Sequence, residues 1–387
     1  MRNPLSTMVQ EIEPSGIRKF FDIVTEMKDA ISLGVGEPDF DTPWHIREEA
    51  IYSLEKGRTF YTSNSGLVEL RQEISNYMKR SQGLEYNINE ILVTVGGSEA
   101  IDIALRAMID PGDEVLIPQP SFVSYVPCTQ LAYGVPVTIT LREEDQFRLR
   151  KEQVLAALTE KTKILVLPFP NNPTGAIMEK EDLEEIAKVC VEHDIFVLSD
   201  EIYAELTYKD KHISIASLPG MQERTIVING FSKSYAMTGW RLGYAVGPEY
   251  IISQMMKIHQ FAIMCAPTNS QYAAVEALRS GDKDIEMMRE EYDKRRKYLM
   301  KAFRDMGLDC FEPFGAFYVF PSIKKFGITS DEFASGLLKQ EKVAVVPGTA
   351  FGESGEGFLR ISYAYSLENL KIALARIENY IKTLEGR

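Results

Sequence analysis

Cysteine, histidine and tryptophan are scarce in this sequence, at 4, 4 and 2 in 387 residues. Cys128, Cys190, Cys265 and Cys310 lie far apart with no CxxC pair, and no two histidines have ligand spacing. A disulfide framework and a structural zinc site are therefore excluded as organising features, leaving buried free thiols and no metal as the expectation. Excess positive charge is also missing. Lys plus Arg number 43 against 56 for Asp plus Glu, a net charge of −13, which disfavours a nucleic-acid or anionic-membrane surface. Any anion site must be local. No run is long and apolar enough to span a bilayer, and the N-terminal stretch carries charges with Pro4 and Pro14 where a signal peptide has an apolar core. A cytoplasmic location is expected.

What is present is ample apolar content for a packed core, in a length that suits a large domain plus a smaller one, or two similar ones. Ser15 can cap a helix whose apolar side is Ile17, Phe20, Phe21, Val24 and Met27, packed as core or as a site lid. A short strand over 31–35 leads into Gly36-Glu37-Pro38-Asp39, a turn by composition in which Gly36 can let backbone approach a ligand or simply make the turn. Thr42 and Pro43 read as Ncap and N1 of a helix ending at Gly57. Tyr61 follows, then Gly66 and a helix carrying Leu67, Leu70, Ile74 and Tyr77.

From residue 91 short apolar strands alternate with helices: 91–95, 114–117, 163–167, 195–199 and 225–229. Such alternation predicts an α/β domain with a mostly parallel sheet, and ligands of such sheets sit outside the carboxyl ends of the strands. The first of these ends opens a helix with Gly96-Gly97-Ser98, whose amides and helix dipole suit a phosphate. It is neither GxGxxG nor GxxxxGKS, so a nicotinamide or nucleoside-triphosphate site is disfavoured. Another ends in a rigid Pro168-to-Gly175 loop presenting Asn172, and a third in Asp200 followed by Tyr203. The last ends in Gly230 and then Lys233, with Arg241 ahead of a second apolar run over 242–246. A lysine held in such a turn loses water and faces a guanidinium, and both favour the neutral amine that attacks carbonyls to form a Schiff base. Singly, each residue has a plain role as turn, cap or solvated cation. Together, an anion cradle, an amide, a carboxylate and a lysine with an arginine at one sheet edge suit a ligand with an aldehyde, a phosphate, a ring nitrogen and a phenolic oxygen. Pyridoxal 5′-phosphate is that ligand.

The motifs GVGEPDFDTP (34–43), YTSNSGLVELR, VTVGGSEA, PNNPTG, SDEIYAEL, NGFSKSYAMTGWRLGY, GAFY, VVPGTAFG and LRISYA (359–364) occur in order along nearly the whole chain. In these the sequence resembles the class I aminotransferases of the fold type I, aspartate aminotransferase superfamily, in particular its bacterial and archaeal aspartate and aromatic amino acid branch. The resemblance implies that Lys233 bonds the cofactor aldehyde and later carries the proton between substrate α-carbon and cofactor. It implies that Asp200 keeps the pyridine nitrogen protonated, that Asn172 and Tyr203 meet the phenolic oxygen, and that Phe122 stacks on the ring. Gly96, Gly97, Ser98, Ser232 and Arg241 are implied phosphate ligands, with Tyr61 reaching the neighbouring subunit's phosphate in a homodimer. Arg360, helped by Gly36 backbone and Asn172, is implied to grip the substrate α-carboxylate. Lys233, Asp200 and Tyr203 would thus carry the catalysis.

Many relatives have Trp at the position of Phe122 and Ser at that of Gly230. Relatives that favour aspartate can place Lys after the double glycine, where this chain has Ser98. That departure leaves room for aromatic or other uncharged side chains, against Phe20, Tyr133 and Phe317. A helix over 284–306 and strands over 316–320, 343–346 and 358–361 suit a smaller α+β domain. The expected division is a large cofactor-binding domain over 46–280, with helices on both faces of its sheet, and a small domain of 1–45 with 281–387, whose motion closes the site. The expected activity is transfer of an amino group from an L-amino acid, aromatic or aspartate-like, to a 2-oxo acid by a ping-pong route. The alternatives are a carbon-sulfur lyase or decarboxylase on the same fold and, more distantly, a transcription regulator, which needs an added basic DNA-binding domain.

Overall fold

The alternating apolar runs pair into one sheet in the computed structural model, which describes residues 2–14, 16 and 29–386. The helix expected from Ser15 to Met27, with Phe20, lies outside the described residues. In chain order the first strands are β1 (Ile31–Ser32), β2 (Ile91–Thr94), β3 (Glu114–Gln119), β4 (Val135–Thr140), β5 (Thr162–Leu167), β6 (Phe196–Asp200), β7 (Thr225–Gly230) and β8 (Gly243–Val246). Seven of them form a sheet of order β2-β8-β7-β6-β5-β3-β4. Its pairs are parallel except those of β8, which runs antiparallel to both β2 and β7. The sheet is thus mostly parallel, as expected, with one reversed strand in its interior.

Strands β2, β7 and β8 are buried at every residue, and β6 at all but Phe196. That burial is why they read as continuous apolar runs rather than alternating ones. Successive residues nevertheless serve opposite faces. Leu92, Ile226, Ile228 and Ala245 pack with Ala100, Ile101, Leu105 and Met255 of helices Gly96–Met108 and Glu249–Ala262. Val93, Val227, Tyr244 and Val246 pack on the other face with Leu70, Ile74 and Ala274 of helices Val68–Gln82 and Thr268–Ser280.

A second cluster gathers Met288, Tyr292, Leu299 and Phe303 of the 24-residue helix Asp282–Asp305. With them lie Phe333 and Leu337 of helix Ser330–Glu341 and Leu370, Leu374 and Ile377 of helix Leu367–Glu385. Strands β9 (Tyr318–Val319), β10 (Val343–Ala344) and β12 (Leu359–Ser362) contribute to it, with β11 (Val346–Pro347) alongside β12. β12 pairs antiparallel with β11 and β9, and β1 pairs parallel with β10, Ile31 opposite Val343. The segment ahead of Gly36 is thereby stitched to the C-terminal third of the chain.

Two local expectations need correction. The helix after Thr42 spans Trp44–Glu55 with Pro43 as its N-cap residue. Thr42 instead donates its hydroxyl to the Ala236 carbonyl at 2.6 Å and accepts the Trp240 indole N–H at 2.9 Å. Two partly buried tertiary partners outcompete the cap. The thiols are free, but only Cys190 is buried, and Cys128, Cys265 and Cys310 are half-buried. Among the described residues no helix is long and apolar enough to cross a membrane.

Candidate active site

The carboxyl ends of β2, β5, β6 and β7 open onto one cavity of about 560 Å³. Lys233, just beyond β7, is half-buried there and donates from Nζ to the Gly36 carbonyl at 2.6 Å. Burial pushes its amine down from 10.5 to about 8; Arg360 and Arg241 push the same way, against Glu37 and Asp200. The neutral amine anticipated from the turn is thus favoured chiefly by burial.

Asp200 ends β6 and is buried. Its Oδ2 accepts the Tyr125 hydroxyl at 2.6 Å and its Oδ1 the Ile202 amide at 3.2 Å. Burial raises the carboxyl above its usual range, and these two hydrogen bonds pull it back. The role of Tyr125 has no signal in the sequence beyond an aromatic three residues past Phe122. Phe122 lines the cavity and meets Tyr125 edge-on at 5.8 Å between ring centroids.

After β2, helix Gly96–Met108 begins at the double glycine, with Gly97 and Ser98 lining the cavity. Gly96 has φ +75°, and a Cβ there would lie 2.8 Å from Arg241 Nη2. Glycine is required on both counts. Arg241 and Ser232 line the same end, Arg241 donating from Nη1 to the Thr238 carbonyl at 3.0 Å. Gly243 of β8 presses on this turn from behind. A Cβ at Gly243 would stand 2.6 Å from backbone atoms of both Gly96 and Gly97, so Gly243→Ala must push the turn aside. The expected cost is about 1–3 kcal/mol in urea unfolding, the usual range for overpacking. An unchanged midpoint would show that the turn moves freely.

In the β5 loop, buried Asn171 bonds inward, its Oδ1 accepting the Thr174 hydroxyl at 2.9 Å, while Asn172 lines the cavity. Asn172 Oδ1 accepts Arg360 Nη1 at 2.9 Å. Arg360, from β12, is 2 % exposed and also donates from Nη2 to the Gly34 carbonyl. Its guanidinium lies between the Tyr318 and Phe351 rings, 4.6 and 4.7 Å from their centroids. Its Nε is buried without a partner, and among the described residues no carboxylate ion-pairs with it. Tyr203 shares a 2.8 Å hydroxyl contact with Tyr318. Gly36 is more than a turn residue, since a Cβ there would meet the Tyr318 hydroxyl at 2.5 Å.

The structure thus brings Gly36, Gly97, Ser98, Phe122, Asn172, Asp200, Tyr203, Ser232, Lys233, Arg241 and Arg360 to one cavity, with Gly96 directly behind Arg241. Tyr61 is outside it and 79 % exposed. Tyr133 is exposed and Phe317 is buried, and neither lines the cavity. Among the described residues no group of three or more His, Cys, Asp or Glu could hold a metal. The cavity offers an anion cradle, a nucleophilic amine, a buried carboxylate and a buried guanidinium without a counter-ion.

Residues 28–377 match the family model for aminotransferases of class I and II. The aspartate aminotransferase of Pyrococcus abyssi is 50% identical over 382 residues, covering 98% of each chain. Aromatic-amino-acid aminotransferase 2 of Thermococcus litoralis is 46% identical over 382 residues, again covering 98% of each. Among solved structures, the aromatic aminotransferase from Pyrococcus horikoshii superposes with a TM-score of 0.91 at 48% identity, covering 95% of this chain and 99% of that one.

Proposed function

The chain belongs to the class I and II aminotransferases and has their fold type I architecture, and from that premise we propose how it moves an amino group from an L-amino acid to a 2-oxo acid. The observation that carries the assignment is Arg360, a buried cation with an unpartnered Nε in the same cavity as Lys233 and Asp200. Burying such a charge unpaired is costly, so the site is built for an anionic ligand. A carboxylate held there answers the planar fork of the guanidinium.

Pyridoxal 5′-phosphate fits the remaining groups. Gly96, Gly97, Ser98, Ser232 and Arg241 would hold its phosphate, and the close approach that only glycine permits at Gly96 supports that assignment. Phe122 would cover the ring, while Asn172 and Tyr203 would meet its phenolic oxygen. When bound, the cofactor supplies an aldehyde to which amino groups bond and a ring that draws electrons from the substrate α-carbon. Asp200, its carboxylate held by the Tyr125 hydroxyl, would keep a proton on the ring nitrogen, and a protonated ring would give the buried carboxylate a cationic partner. Lys233 would hold the cofactor aldehyde between turnovers. Its Nζ would then take up the α-proton of a bound amino acid and return it within the site. Arg360 fixes the α-carboxylate, so that the α-hydrogen faces Lys233. The two half-reactions follow a ping-pong order, with an aromatic or aspartate-like donor.

Tyr61 takes its role in a homodimer, where its exposed ring reaches the neighbouring subunit's phosphate. Residues 46–280 form the large domain, and 1–45 with 281–387 the small one.

The test is a visible absorption spectrum of the protein with pyridoxal phosphate, followed as aspartate, phenylalanine, tyrosine, alanine and 2-aminoadipate are added in turn. The expected result is loss of the band of the lysine-bound cofactor, with pyridoxamine phosphate and a 2-oxo acid as products. Ammonia and pyruvate in their place would overturn the assignment.

A further inference from the structure

We propose that His259 is a positioning residue for the phosphate cradle, acting through Glu99; the inference rests on the assignment of residues 96–98 to the cofactor phosphate. Val95 is the N-cap residue of the cradle helix and offers no side-chain cap. Its amide donates instead to Glu99 Oε2 at 2.5 Å. The entry to the Gly96 turn is therefore held by a carboxylate from within the helix's own first turns. That carboxylate is largely buried, with its side chain 12 % exposed. It also follows directly on Ser98, so its orientation is tied to that of the cradle.

His259 holds this carboxylate from its other oxygen. Its Nδ1 lies 2.6 Å from Glu99 Oε1, and its side chain is fully buried. It comes from helix Glu249–Ala262, which packs on the cradle helix through Ile251, Ile252 and Met255 against Ile101 and Leu105. Its Nε2 is buried and has no hydrogen-bond partner. Among the described residues Glu99 is thus the one side chain with which the imidazole makes a polar contact. An aliphatic residue would fill this apolar position without burying an unpartnered nitrogen. What a histidine adds there is a donor to Glu99. With that donor, both carboxylate oxygens are engaged, and the second is fixed on the Val95 amide. Without it, the carboxylate can turn away, and among the described residues the Gly96 turn keeps only the Thr94 hydroxyl on its carbonyl, at 2.9 Å, as a side-chain hydrogen bond.

The test compares pyridoxal phosphate with pyridoxal, which bonds to Lys233 but has no phosphate. Dissociation constants are read from the absorbance of the bound cofactor in the full-length protein. For His259→Leu, loss of one charge-assisted hydrogen bond should raise the constant for pyridoxal phosphate about tenfold and that for pyridoxal less than about twofold. His259→Gln, whose amide can still donate to Glu99, should recover most of the loss. His259→Phe, which keeps a ring but no donor, gives the same comparison should the leucine variant not fold. An equal loss for both cofactors, or no loss for either, overturns the proposal. Wild-type protein that binds pyridoxal as tightly as pyridoxal phosphate would instead sink the cradle assignment and the proposal with it, so the two failures are told apart by the unmutated control.

Discussion

Replacing Lys233 by Ala should leave a folded protein whose transamination rate is lower by at least about 10⁴-fold, the upper range for loss of a positioned proton carrier. Among the described residues that line the cavity Lys233 is the one lysine, so none of them offers a second amine. The same burial that tunes its amine makes a second, independent expectation about stability. Its folded-state value is about 8 against 10.5 for a free side chain, so the unfolded chain binds the proton more tightly than the folded one. Below pH 8 both states are charged and the folded state bears the full cost. Between about 8 and 10.5 the folded lysine is already neutral, and the cost fades as pH rises. Cofactor-free Lys233→Met, which keeps the aliphatic stem, should therefore be more stable than wild type at pH 7, on the order of 2 kcal/mol after discounting for partial solvent access. Urea unfolding at pH 7 and pH 10.5 measures both the gain and its disappearance. Normal turnover by Lys233→Ala would sink the proton-carrier role. A Lys233→Met gain that did not shrink with pH would sink the account of the lysine's charge.

How far the sequence announces this site depends on whether a residue's role is set by its neighbours in the chain or by partners far from it. Asp200, Asn172, the double glycine and Lys233 each follow directly on a buried apolar strand, and parallel strands deliver their carboxyl ends to one edge, so adjacency alone assembles them. Tyr125 is different. It meets Asp200 across 75 residues, and an aromatic on a short helix reads equally well as core. His259 meets Glu99 across 160 residues, with no local feature to mark it. The direction of β8 is also hidden, because an apolar run over 242–246 reads the same either way. Its reversal appears only in the pairing of Gly243 with Gly230 and of Gly243 with Thr94. Thr42 shows the reverse failure, in which strong local propensity yields to tertiary partners. Residue type alone would put Tyr133 near substrate, yet it sits at φ 64° beyond a helix end and faces solvent.

Arg360→Lys should prove damaging, although it conserves formal charge. The arginine is held by four things a lysine cannot use together: the Asn172 amide oxygen, the Gly34 carbonyl and the faces of two rings. An ammonium has no planar face to stack and no fork to present to a carboxylate. It also neutralises more readily. Burial already pulls the Arg360 guanidinium below its ordinary value, yet so strong a base stays charged. A lysine in the same place, with no carboxylate partner, would be driven toward the neutral amine and would lose the attraction as well as the geometry. The expected loss in kcat/KM is roughly a hundredfold or more, corresponding to about 3 kcal/mol of binding to the carboxylate, and it should fall mostly on KM. It should apply equally to amino acids and 2-oxo acids, since both carry the same group. The hold on the cofactor phosphate should be little changed, because Gly96, Ser98 and Arg241, and not Arg360, are assigned to it. The decisive control is an amine of the same side chain without the carboxylate, which should react slowly and at the same rate in both proteins. If Arg360→Lys slowed that amine as much as it slowed the amino acid, Arg360 would be a structural cation, and the substrate's carboxylate would have to be sought elsewhere in the cavity.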